Sequence, residues 1–401
     1  MKNTYSYSKV VFILTLSFVF LFTGLAQGQE GLEPTGKPIK IGSISPLTGA
    51  AEIEGTDIQR GEKIALEEIN AAGGVLGRPL KIIFEDSETR PKAGINAAHK
   101  LVETDGVPVI VGSYSSGVSL PIGEYTNKKK VIQISEGSTS PALREVGPYF
   151  FNAVGLDDLM GTAVAKFALQ DTGQKNFSII VMNNPFGIGM ARWMRKTVED
   201  AGGEILSEIR YERFKSDYRA ELRELFKPDP PGILYSIYGK ETKIIRKQAY
   251  ELGLDPEFGW YAGYTSMGTS AAIPETVEGT KGLSPGYLGA AAESFNSKYK
   301  EKYDKLPPSC WASYGYDATW LAALAINMAN STDTDKIKEA LHQIAPRYRG
   351  VSGGGNKIFD ESGMQAQETY ITQIYENGEL HPYTNPEMGI TKSKITYKKQ
   401  Q

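Results

Sequence analysis

Two short runs hold the densest hydroxyl chemistry of this chain: Gly112-Ser113-Tyr114-Ser115-Ser116-Gly117 and Ser135-Glu136-Gly137-Ser138-Thr139-Ser140. Each begins where an apolar run of strand character ends, at residues 107–111 and 131–135. A serine just past a strand can stand as a nucleophile. The first run, however, does not fit the GxSxG elbow, and no downstream Asp and His have recognisable flanks. The hydroxyls serve better as donors beside the free backbone N–H groups of the next helix, which is where an anion binds. The same side chains are also ordinary helix caps, and the two uses are compatible. Gly187-Ile188-Gly189 opens a helix after a strand, as a dinucleotide fingerprint does, but Arg192 stands where Gly or Ala is needed. There is no GxxxxGK[ST] run and no carboxylate cluster at metal spacing. His99, His342 and His381 fall outside HxxxH and HExxH patterns, and Cys310, the single cysteine, builds neither a disulfide nor a thiolate site alone. The expectation is a chain that is not an enzyme and takes no metal or cofactor.

The elements that must place these turns follow from periodicity. Residues 39–44, 80–85, 107–111 and 131–135 are short apolar runs, and 56–72, 91–103 and 121–127 have helical spacing. The rhythm restarts with helices at 157–170, 189–201 and 240–252 between strands at 177–182, 233–238 and 258–262. Strands separated by helices of this length imply right-handed crossovers and parallel sheets. The expected fold is therefore α/β, with two doubly wound lobes joined by several chain crossings. Residues 38–155 with 287–355 make one lobe, 156–286 with 356–385 the other, and 386–401 a loosely held tail. Ligands of such sheets sit outside the carboxyl ends of the strands. There the sequence places Ser113 to Ser116, Glu136 to Thr139, Phe186, Tyr238 and the Tyr264-Thr265 pair. Hydroxyl turns facing aromatic residues suit a small molecule with a carboxylate head and an apolar body.

The first 26 residues are set apart. Lys2 and Lys9 precede thirteen uncharged residues, 10–22, and Gly24-Leu25-Ala26 offers a small-x-small cleavage site. Thirteen helical residues reach about 20 Å, short of the roughly 30 Å hydrocarbon core. Residues 1–26 are thus expected to be a cleaved signal peptide and the mature chain a soluble periplasmic monomer, with no lipid-anchoring cysteine after the apolar run. Loss of the two lysines takes the net charge from −3 to −5. With 44 basic and 47 acidic residues among 401, no basic excess supports nucleic-acid binding, and 40% apolar content excludes general disorder.

The chain resembles the leucine/isoleucine/valine-binding protein family, the type I periplasmic receptors of branched-chain amino-acid ABC transporters. Ile41-Gly42 to Pro46-Leu47-Thr48-Gly49 resembles its first strand and turn, and Gly61 to Asn70 with Gly73-Gly74 and Gly77-Arg78-Pro79-Leu80 its following run. Ile110-Val111-Gly112 with Ser115-Ser116, and Ile134-Ser135 with Ser138-Thr139-Ser140-Pro141, resemble its two ligand turns. Asn183 to Gly189 is similar to its D-x-x-YG-x-G turn, and Tyr314 to Ala318 to a late helix start. The resemblance implies a carboxylate held by Ser116, Thr139 and the Gly137-Ser138 backbone, with Ser115 beside them. It implies an aromatic wall of Phe186 and Tyr238, and permease subunits as partners. It puts Thr265 where the family has an acid for the ligand ammonium, and a threonine cannot neutralise that charge. Glu54, at the pocket mouth, and Glu136, within the second turn, are the acids that could replace it. Branched-chain or other apolar amino acids lead as ligands, with amine-free carboxylates or a signalling receptor of the same fold as alternatives.

Overall fold

The computed structural model describes residues 33–264 and 273–399, so the expected signal peptide and Thr265 lie outside the described residues. The first lobe starts with β1 (Ile39–Ser45), α1 (Glu52–Ala71), β2 (Leu80–Asp86), α2 (Pro91–His99), β3 (Val109–Gly112), α3 (Ser116–Lys128), β4 (Ile132–Ser135) and β5 (Phe150–Gly155). The chain crosses into the second lobe through α4 (Asp157–Thr172), β6 (Phe177–Met182), α5 (Pro185–Asp200), β7 (Ile205–Tyr211) and α6 (Arg219–Phe226). That lobe continues with β8 (Ile233–Ser236), α7 (Gly239–Glu251), β9 (Trp260–Gly263) and β10 (Lys281–Pro285). It then returns to the first lobe for α8 (Ala292–Tyr303), α9 (Trp311–Ala329), α10 (Thr334–Ile344) and β11 (Met364–Gln365). A last passage adds β12 (Gln367–Glu376), β13 (Glu379–Pro382) and β14 (Lys394–Lys398) to the second.

The first sheet is parallel throughout, in the order β11-β5-β4-β3-β1-β2. The second runs β13-β12-β10-β9-β8-β6-β7, parallel from β10 to β7, with β12 antiparallel to β10, β13 and β14. Strand order reverses beside β1 and β3 in one sheet and beside β6 and β8 in the other. These are the switch points at which open α/β sheets leave a crevice. The fold class read from the sequence is the one observed.

Burial on both faces explains the runs: β6, FSIIVM, has all six residues buried. On the first sheet α1 and α9 pack against one another closely enough to require glycine. A Cβ on Gly61 would sit 1.8 Å from the Ala312 carbonyl oxygen, and one on Gly315 would sit 2.6 Å from that of Ile58. Buried ionic contacts tie the crossings together. Glu368 accepts the Gly155 N–H at 3.1 Å and the Tyr314 hydroxyl at 3.0 Å. Nearby, the buried Lys357 ammonium donates to Ser352 at 2.6 Å and lies 3.7 Å from Asp317.

Three expectations change. α1 begins at Glu52 rather than 56, because Glu52 and Glu54 occupy its first turn, where the helix dipole favours acids. Residues 356–365 do not all join the second lobe: Met364 and Gln365 pair with β5. The segment expected as a tail contains an edge strand, β14, which pairs with β12 from Gln367↔Lys398 to Ile371↔Lys394. Its sequence, KITYK, alternates exposed and half-buried positions, so an edge strand with lysines outward reads as polar coil.

Candidate functional site

Gly112 ends β3 with φ +132°, and a Cβ there would lie 2.4 Å from the Ile44 carbonyl oxygen, so only glycine makes this exit. The chain then delivers Ser113 to Ser116 to the start of α3, with Ser115 as the N-cap residue in extended conformation. The Ser116 hydroxyl oxygen accepts the backbone N–H groups of Thr139, at 3.0 Å, and Ser140, at 3.1 Å. Two amides of the second turn thus converge on one oxygen at a helix start, the geometry of an anion site. Ser138 has a different task from the one expected. Its hydroxyl donates to the Ser113 carbonyl at 2.8 Å and meets Ser119 at 2.7 Å, lashing the two turns together. Its own N–H goes to Ser135 at 3.0 Å. Gly137 is needed for space, since a Cβ would come within 2.5 Å of the Tyr114 ring.

The second lobe supplies rings. Asn184 caps α5 by accepting the Gly187 N–H at 2.9 Å, and this sets Phe186 in the first turn. Tyr238, the N-cap residue of α7, stacks on Phe186 with centroids 5.6 Å apart and an interplanar angle of 10°. Its hydroxyl reaches Ser115 of the other lobe at 3.4 Å. Arg213 lies 5.2 Å from the Tyr238 ring centre and pairs with Glu241 at 3.3 Å. Three further rings complete the wall: Tyr264, expected at this strand end, and Tyr114 and Trp311, which the sequence reading does not include among the rings. Tyr114 meets Trp311 edge-on at 5.1 Å and Tyr238 at 5.6 Å, while Tyr264 lies 6.1 Å from both Phe186 and Trp311. Tyr264 is fixed by a 2.8 Å hydrogen bond to the Gly155 carbonyl. Tyr114 stands inside the serine-rich turn and could have been taken from it. Trp311 comes from the start of α9, and no local signal points it at the cleft.

These rings, with Ser116, Gly137 and Thr139, enclose only about 10 Å³, the room of one water. The lobes are closed on one another, and Lys240 of α7 reaches across to the Gly49 carbonyl at 3.0 Å and to Glu52 at 3.4 Å.

The two acids differ in setting. Glu54 is 2% exposed, with Oε1 lacking a hydrogen-bond partner. Burial first, then the Asp57 and Glu241 carboxylates, push it up to about 7, against the opposing pull of its own backbone N–H and Lys240. Glu136 is fully buried with neither oxygen partnered, and burial pushes it up to about 8. It does not line the space between the rings. Its charge is felt by Glu62, whose carboxyl takes the Ser43 hydroxyl at 2.9 Å and is raised by burial and then by Glu136. Asp157 is raised as well, by burial, with the Thr139 hydroxyl opposing.

Among the described residues no group of three His, Cys, Asp or Glu could hold a metal, and no helix is long and apolar enough to cross a membrane. The three histidines sit on α2, α10 and β13, away from the serine turns. The arrangement offers anion donors and aromatic surface between two lobes.

A family model for periplasmic binding proteins matches residues 38–379. The chain belongs to the periplasmic binding protein family. This is a family of solute-binding proteins and not of enzymes, as the resemblance implied. The leucine-, isoleucine-, valine-, threonine- and alanine-binding protein of Pseudomonas aeruginosa is 28% identical over 352 residues, covering 86% of this chain and 91% of that one. A leucine-binding protein from Thermotoga maritima superposes with a TM-score of 0.78 at 26% identity, over 87% of this chain and 99% of that one. A solute-binding protein of an ABC transporter from Rhodopseudomonas palustris, solved with 3,4-dihydroxybenzoic acid, gives 0.75 at 20% identity, over 90% and 98%. As a periplasmic binding protein, the chain has the two-lobed fold of solved branched-chain amino-acid receptors.

Proposed function

We infer that this periplasmic binding protein is the extracytoplasmic receptor of an ABC importer, closing its lobes on a small carboxylate and presenting the closed form to membrane permease subunits. The observation that carries the reading is the pair of amides converging on Ser116 Oγ beneath five aromatic rings from both lobes. A ligand carboxylate takes over those amides while the Ser116 hydroxyl turns to donate, and its apolar body replaces the ring-to-ring contacts. With about 10 Å³ free, the lobes must part to admit it. Apolar amino acids lead as ligands, following what the Pseudomonas and Thermotoga relatives are named for binding. In that case Glu54 meets the ammonium, because this buried acid, though outside the lining of the ring-walled space, feels the charges of both lobes. Asp57 acts on it from its own lobe and Lys240 and Glu241 from the other, and it lies near enough to Tyr238 to raise that hydroxyl.

A second reading, an amine-free aromatic or branched carboxylate, is favoured by the ring-lined wall and by Glu54 being half neutral at pH 7. One titration separates the two. An ammonium needs ionised Glu54, so affinity for leucine or phenylalanine should rise as pH increases through about 7, and Glu54→Gln should flatten that profile. An amine-free acid needs Glu54 neutral, so its affinity should fall over the same interval. In either case Ser116→Ala should weaken binding by about 1.5–3 kcal/mol, the value of a charge-assisted hydrogen bond. It should also lower the melting temperature of the ligand-free protein, because the Thr139 and Ser140 amides lose their acceptor. Calorimetry of leucine, phenylalanine and their deaminated analogues reads all three. Unaltered affinity in Ser116→Ala would place the ligand elsewhere.

A further inference from the structure

On the outer face of the second lobe α4 and α5 lie side by side and the end of β14 runs past them, leaving a cavity of about 610 Å³. That volume falls within the range of small-molecule sites, and the cavity is separate from the closed cleft. Its walls are apolar and aromatic at Leu159, Leu169, Trp193 and Tyr397.

Around this space polar groups are left over. Trp193 Nε1, Arg144 Nε and Asp158 Oδ1 are shut off from solvent without a hydrogen-bond partner among the described residues. Five cationic side chains line the cavity against two carboxylates. Both carboxylates are already taken, Asp158 by Arg144 at 2.8 Å and Asp200 by Lys196 at 2.8 Å, and Asp360, outside the lining, pairs with Lys399 at 2.7 Å. Lys166 and Lys398 have no ion-pair partner among the described residues. The unpartnered Trp193 Nε1, an Arg144 Nε whose nearest carboxylate oxygen is that of Asp360 at 3.8 Å, and two unpaired lysines, over an apolar and aromatic wall, define what would complement them. It is an anionic oxygen carried on a flat apolar body.

We propose that the α4/α5/β14 cavity is a second ligand site, distinct from the cleft, for a small aromatic monoanion. The anion is held by Arg144 and the rim lysines and the ring lies against Trp193. Arg144 precedes the first lobe crossing and Asp158 follows it, so the occupant would rest on the hinge itself.

The test uses 2-naphthoate as the probe and 2-naphthalenemethanol as its neutral counterpart, with the full chain, Ser116→Ala and the double variant Lys166→Glu/Lys398→Glu. Both lysines are exposed, so the double variant should keep its melting temperature. Calorimetry together with Trp193 quenching, assigned by Trp193→Phe, should find a naphthoate site that survives in Ser116→Ala. That site should weaken about tenfold or more in the double variant and bind the alcohol about tenfold or more weakly. Three outcomes overturn the proposal: naphthoate binding abolished by Ser116→Ala, equal affinity for acid and alcohol, or no naphthoate binding at millimolar concentration.

Discussion

A carboxyl group with no partner inside a protein is held neutral by the cost of burying its charge, and Glu136 is in that position. Its pKa is raised from an ordinary carboxylate value to about 8 in the folded chain, so the folded state holds its proton after the unfolded chain has lost it. Stability on this account is highest at low pH, declines as pH rises past about 4.5, and is lowest above about 8. Glu136→Gln keeps the shape and removes the titration. It should therefore stabilise the protein by about 1–3 kcal/mol at pH 9 and change it by less than about 1 kcal/mol at pH 5. Melting curves at the two pH values measure the difference; equal shifts at both would mean that Glu136 is solvated. Glu62 beside it acts in the same direction, which is why the substitution belongs at Glu136, where no hydroxyl donor is lost.

At the scale of elements, the first lobe depends on how closely α1 and α9 approach. With the Ala312 carbonyl 1.8 Å from where a Gly61 Cβ would stand, Gly61→Val has to push the helices apart. The expected cost is about 3 kcal/mol or more, read as a lower melting temperature with the second lobe's spectrum retained. Elements of strong period were legible in the sequence: β6 at residues 177–182 was read with its observed ends, and the hydroxyl turns were placed at the ends of β3 and β4. What escaped was set by tertiary contact. β5, β7 and α6 have patterns too short or too mixed to stand out, and β14 is a strand only because β12 is beside it. In the site, Ser116, Thr139, Phe186 and Tyr238 follow from local turn chemistry and come together as read. Trp311 does not follow, because its place is decided by α9 docking on α1. Ser138 looked like its neighbours, yet its hydroxyl is committed to the Ser113 carbonyl.

For the whole molecule, the closed cleft substitutes one set of aromatic contacts for another. Trp311 touches Tyr114 and Tyr314 of its own lobe and Tyr264 of the other, so opening removes one side of its packing. The indole then gains water. A ligand that closes the lobes should shift the emission of Trp311 to shorter wavelength, and the shift should vanish in Trp311→Phe while Trp193, Trp260 and Trp320 remain. Steady-state fluorescence during titration measures it. A shift that persists in Trp311→Phe would assign the signal to another indole. Lys240, which bridges to Gly49 and Glu52, is the exposed part of the same closure and should be the part that salt weakens.

The embrace of α1 and α9 also has a meaning in time. Trp320 bonds to Glu68 across 252 residues of chain, whereas β6, β7, β8, β9 and β10 follow one another within a single stretch. Closing the larger loop is entropically slower. Although β12 to β14 join the second lobe last, they add to one edge of a sheet whose β6 to β10 strands already pair through short connections. The first lobe's sheet, by contrast, lacks the cover of α9 until the long loop closes. The second lobe should thus form first and serve as a template on which the first is completed. Pulse-labelled hydrogen exchange during refolding should find β6 and β8 amides protected ahead of those in β1 and β3, and the opposite order would refute it. Until α9 docks, the apolar face of α1 is a surface that other chains can seize, so the interval between the two events is when this protein is most exposed to aggregation.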